Sequence, residues 1–147
     1  MKRMKRVLCT LLIVVSVLLL CACKKDYSAI TYKRFTAKMS DDLSYSVTDK
    51  SLSYEGIYER YISASKEGSI FLFIEFEDKD SAEKYMKDNY KDQKGYSYKE
   101  EKDYIVVTNS KNGYVKIVQM DNVVISGSTE IASNKSDVKK AFKELGY

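Results

Sequence analysis

Ser69-Ile70-Phe71-Leu72-Phe73-Ile74-Glu75-Phe76 constrains this chain more than any other stretch, because it is apolar on both faces that a β-strand presents. Side chains alternate with period two, so Ile70, Leu72, Ile74 and Phe76 fall on one face and Phe71 and Phe73 on the other. Such a strand belongs in the middle of a sheet. The rest of the chain must then supply strands beside it and apolar cover over it.

A partner strand comes just before. Ile57 to Ser65 is rich in β-formers, and Lys66-Glu67-Gly68 separates the two runs, with Gly68 supplying the positive φ of a tight hairpin. Tyr45-Ser46-Val47-Thr48 alternates and reads as a further short strand. Ahead of it, Tyr32, Phe35, Met39 and Leu43 recur at helical spacing with Thr31 as the N-cap. Behind the central strand a second helix is expected. Asp80 caps it, Glu83 at the third helical position completes a capping box, and Ala82, Tyr85, Met86 and Tyr90 form its apolar stripe.

The same order then returns. Residues 95–99 alternate, Tyr104 to Thr108 and Tyr114 to Met120 form a second hairpin, and the turn Asp121-Asn122 adds one more strand, Val123 to Ser128. A last helix carries Val138, Ala141, Phe142 and Leu145 before its Gly146 stop. Tyr61-Ile62-Ser63-Ala64 answers Tyr104-Ile105-Val106-Val107, and Gly68-Ser69-Ile70-Phe71 answers Gly113-Tyr114-Val115-Lys116. Hairpin strands are antiparallel, and helices between them must cover an apolar face. The pattern predicts an α+β fold, a two-layer sandwich of antiparallel sheet and helices, built from tandem β-β-β-α units preceded by one helix. Leu72 and Ile74 are expected to face the helical layer, with the C-terminal helix covering that layer through Val138, Phe142 and Leu145. Tyr61, Tyr104 and Tyr114 would mark the exposed sheet face, the natural place for a partner.

The leader is of another kind. Lys2, Arg3, Lys5 and Arg6 precede an apolar run from Val7 to Leu20, and small Ala22 precedes Cys23. Leu20-Cys21-Ala22-Cys23 resembles a bacterial lipobox, and the whole chain resembles small Gram-positive-type lipoproteins. The resemblance implies that Cys23 becomes the mature N-terminus, thioether-linked to diacylglycerol. Cys21 is the poorer site because bulky Leu20 precedes it. The run is only marginally long for a span that needs about 20 apolar residues, and two acyl chains anchor a protein stably without one. The expected organisation is a signal peptide over 1–22, a short tether over 23–29 and a single domain over 30–147. The membrane is then a partner through the lipid, on the extracytoplasmic side.

Composition removes several classes. Of 25 Lys and Arg four leave with the leader, and the remaining 21 balance 21 Asp and Glu, so the mature chain has no basic field to gather nucleic acid. There is no histidine, and of three cysteines two leave with the leader while Cys23 carries the lipid. Zinc sites and Ser-His or Cys-His catalysis lose their usual residues. No metal, cofactor or catalytic residue is assigned.

Three Ser-x-x-Lys matches, at Ser63, Ser81 and Ser136, read as chance in so small a domain. Glu75, Glu77, Asp78 and Asp80 lack the ligand spacing of an EF-hand loop. The expected function is a non-enzymatic, lipid-anchored binding or interaction module of the cell envelope, its ligand unknown. Two alternatives stay open: a carboxylate-dependent hydrolase of envelope glycans, and a structural or protective partner of a membrane complex.

Overall fold

The computed structural model describes residues 28–111 and 113–147; the leader, Cys23 and most of the tether lie outside them. Among the described residues the chain forms α1 (Tyr32–Ala37), continued by a wider π-type turn over Lys38–Asp42, then β1 (Ser46–Asp49), β2 (Arg60–Lys66), β3 (Ser69–Glu75), α2 (Lys79–Tyr90), β4 (Ser97–Glu100), β5 (Tyr104–Asn109), β6 (Tyr114–Met120), β7 (Val123–Thr129) and α3 (Lys135–Leu145). The seven strands make one antiparallel sheet in the order β1-β2-β3-β7-β6-β5-β4. This is an α+β sandwich of antiparallel sheet and helices, with β-β-β-α repeated behind one leading helix and β7 added to the second unit.

Local chemistry sets the boundaries. Thr31 accepts the Arg34 amide and caps α1. In the β2–β3 turn both Glu67 (φ 43°) and Gly68 (φ 78°) are left-handed, which matches the twist of the flanking strands. The cap of α2 is Asp78, whose carboxylate accepts the Ser81 amide at 2.7 Å. The helix therefore starts before Asp80, which lies in its first turn. Ile57 is likewise not in a strand: Gly56 (φ 79°) turns the chain, and β2 begins only at Arg60. Gly146 (φ 99°) ends α3.

The helices are shared between the two faces of the sheet, so the sandwich has three layers where two were expected. On one face α1 and α3 cover Ile62, Phe71, Phe73, Val118 and Ile125. On the other α2 covers Ile74, Ile105, Val107, Ile117 and Val124. Leu72 and Ile74 do face a helix, but it is α2. The C-terminal helix lies on the Phe71 and Phe73 side, where the ring of Phe142 packs 5.3 Å from that of Phe71.

The strand order explains the division. β3 and β6 both run antiparallel to β7, so they are parallel to each other, and the two three-stranded meanders spread outward from β7. A half-turn about β7 exchanges the meanders while keeping strand direction, and it also exchanges the faces of the sheet. Ile62 and Ala64 accordingly lie under α1 and α3, whereas their counterparts Ile105 and Val107 lie under α2. Ala64 pairs with Phe71 and Val107 with Ile117. Phe71 thus answers Ile117, one residue beyond the match with Lys116 that the two glycines suggest.

Candidate interaction surface

The halves of the exposed-face expectation separate at once. Tyr61 lies on the α2 side of the sheet, but Tyr104 and Tyr114 lie on the other, where Tyr114 is buried with Lys135 and Lys139 over its ring. Tyr61 has different companions. Its ring stacks on Tyr54 at 4.3 Å, Tyr58 sits 5.8 Å away, and the contacts continue from Tyr58 to Phe76, Tyr85, Tyr90 and Tyr96. This ladder flanks α2 from the 50–59 loop to the start of β4. Each such pair is worth about 0.5–1.5 kcal/mol beyond area burial. Burial pushes the phenols of Tyr85, Tyr90, Tyr61 and Tyr58 above their ordinary value, so they stay protonated at neutral pH.

The ladder ends at the most exposed apolar group of the described residues. Leu52 is 90% exposed and Ile57 65%, on a loop pinned at its root: Asp49 accepts the Ser51 amide, and Ser51 Oγ accepts the Tyr61 amide at 3.1 Å. Between them a recess of about 320 Å³ is lined by Ser51, Leu52, Glu55, Gly56, Tyr58 and Glu59. Neither glutamate forms an ion pair among the described residues.

The chain enters the fold at this same end. Ile30 N donates to Tyr147 Oη at 3.0 Å, and that hydroxyl donates to the Ser28 carbonyl at 3.0 Å. The Arg60 guanidinium, at the root of the loop, lies 3.8 Å over the Tyr32 ring. The segments that close this end, 28–34, 49–60, 75–80, 100–103, 121–122 and 143–147, hold twelve Asp or Glu against seven Lys or Arg. The remaining described residues hold eight against twelve. The molecule is therefore polarised, acidic where the chain enters and basic elsewhere. Full burial of Leu52 and Ile57 would gain about 1.5–3 kcal/mol each. An anionic lipid surface changes the energy of each nearby charge by about 1 kcal/mol, so repulsion of the excess acids offsets that gain.

At the far end a polar cavity of about 200 Å³ is lined by residues that include Tyr45, Lys66, Glu67, Ser69 and Asn134. Two of its side chains are engaged by backbone around it: Lys66 Nζ donates to the Leu43 carbonyl at 3.0 Å and Asn134 Nδ2 to the Glu67 carbonyl.

The remaining motifs occupy structural places. Ser63 is half-buried on β2 beside Leu72, the Ser81 amide serves the α2 cap, and Ser136 Oγ donates to the Ser133 carbonyl at 3.4 Å. Glu75 pairs with Arg60 at 3.3 Å. Among the described residues no group of three acids, cysteines or histidines converges as a metal site would require. Hydrogen bonds to Ser51, to the Ser81 amide and to Lys87 hold Asp49, Asp78 and Glu100 below the usual carboxylate range. The signal for the exposed loop was present in Gly56, which breaks the β-rich run of 57–65 from what precedes it. No protein-family model matches the sequence, and no curated protein shows significant similarity to it.

Proposed function

We propose that the protein is a lipid-anchored lipoprotein of the bacterial cell envelope, a non-enzymatic interaction module that works within a short reach of the extracytoplasmic face of the cell membrane. The observation that carries this reading is the tie between Tyr147, Ser28 and Ile30. It fixes the start of the fold only five residues after Cys23, a reach of at most about 18 Å for an extended chain. On this reading the exposed Leu52–Ile57 loop, at the end where the chain enters the fold, would face the anchor. Replacing Cys23 tests the anchor. Cys23→Ala should abolish acyl labelling and the maturation cut, and normal labelling of that variant would overturn the reading.

A further inference from the structure

Resting on the anchored reading, we propose that the Leu52–Ile57 loop and the acidic surface around it form a docking site for a cationic amphipathic peptide. The loop offers aliphatic side chains in an exposed position, held by a hydrogen-bonded root and a stacked aromatic base, so little order has to be gained on binding. Its recess places Leu52 and the ring of Tyr58 beside Glu55 and Glu59. A lysine or arginine matches that combination, with its methylene stem against the apolar wall and its charged head at the carboxylates.

Charge chooses among possible occupants. An anionic lipid surface is disfavoured by the excess of acids at this end, and an acidic peptide equally so. A peptide that carries both an apolar stripe and several lysines meets both features of the site. Such peptides also collect at anionic membrane surfaces, the layer to which the tether confines this end of the molecule. A second copy of the chain, offering its basic end, is the remaining competitor.

The test is titration of the full chain, held in non-ionic micelles, with a synthetic amphipathic peptide built of leucine and lysine. Binding is expected, and it should weaken steeply with added salt. The double variants Leu52→Ser with Ile57→Ser, and Glu55→Gln with Glu59→Gln, should each lose about tenfold or more in affinity while melting as the parent does. Equal binding of a leucine–glutamate peptide of the same pattern, or undiminished binding by both variants, would overturn the proposal. It would also fall if the same variants abolished self-association of the chain or binding to phosphatidylglycerol vesicles while leaving the peptide titration unchanged. Micelle binding does not depend on the anchor, and the mass of the same sample reports acylation, so failure of the one reading is distinguishable from failure of the other.

Discussion

The two faces of the sheet are built from the same kind of strand but finished differently. Under α1 and α3 the largest buried side chains are phenylalanines: Phe35, Phe71, Phe73 and Phe142 pack in pairs at about 5.3 Å, and the tyrosines among them, Tyr45, Tyr114 and Tyr147, are buried too. Under and beside α2 the cover is tyrosine, with Tyr58, Tyr61, Tyr85, Tyr90 and Tyr96 only half-buried. Phenylalanine gains from complete removal from water, whereas a tyrosine packs its ring and leaves its hydroxyl hydrated. One face is therefore a sealed core, and the other is a core that grades into surface. The exposed loop grows from the second kind of face, where Tyr58 and Tyr61 carry the packing out to it.

The sealed face should tolerate truncation badly. Phe142→Ala is expected to cost about 3–5 kcal/mol, the range for emptying a large aromatic site. Tyr54→Ala, which removes a half-buried ring stacked on Tyr61, should cost nearer 1 kcal/mol. Urea unfolding of both variants measures the contrast. Equal losses would mean that the tyrosine ladder is as much core as the phenylalanines.

Overfilling sharpens the same point. Gly127 sits in β7 with a right to no side chain: a Cβ there would come within 2.5 Å of the Phe71 ring and 2.6 Å of the Phe142 ring. Its missing side chain is what lets α3 approach the sheet. Gly127→Ala should destabilise by about 1–3 kcal/mol, although alanine is the better strand residue elsewhere, and thermal melting would reveal it. A neutral result would show that α3 can move outward freely.

The strands were the most legible part of the sequence because their signals are local. Alternation fixed β3, and the run Tyr114 to Met120 coincides with β6. Turn chemistry at Gly68 and at Asp121-Asn122 placed two of the hairpins. The face covered by α3 was not legible, because it depends on the position of β7 between β3 and β6, a pairing over long separation that no local pattern records. Asp78 and Asp80 offer the same carboxylate two residues apart, so the pattern points to Asp80 as readily as to Asp78, and the hydrogen bond from the Ser81 amide decides between them. As for the candidate surface, Tyr61 could be named from its strand, but its companions Tyr54 and Tyr58 come from the irregular loop. Gly56 marks the loop, but the projection of Leu52 from it has no sequence signature, since an isolated leucine in a loop packs as often as it projects.

The smallest effect concerns pH. Phenols raised by burial lie on both faces, Tyr45, Tyr114 and Tyr147 beside the phenylalanines and Tyr58, Tyr61, Tyr85 and Tyr90 in the ladder. A phenol with a raised folded value contributes stability that is complete below its unfolded value of about 10 and is lost as pH climbs above it. Asp49, Asp78 and Glu100 work in the opposite sense: lowered when folded, they contribute stability above about pH 4 that is lost as pH falls. Their near-complete exposure keeps that acid loss slight. With no histidine in the chain and no cysteine after Cys23, no side chain of the domain over 30–147 has an ordinary pKa between these limits, and the melting temperature of the domain should be flat from about pH 5 to pH 9. Above that window it should fall, and Tyr85→Phe, which removes the phenol most strongly raised among those described, should soften the fall. A melting temperature that varied across neutral pH, or an alkaline limb unchanged in Tyr85→Phe, would mean that the ladder is wetter than its ring contacts indicate.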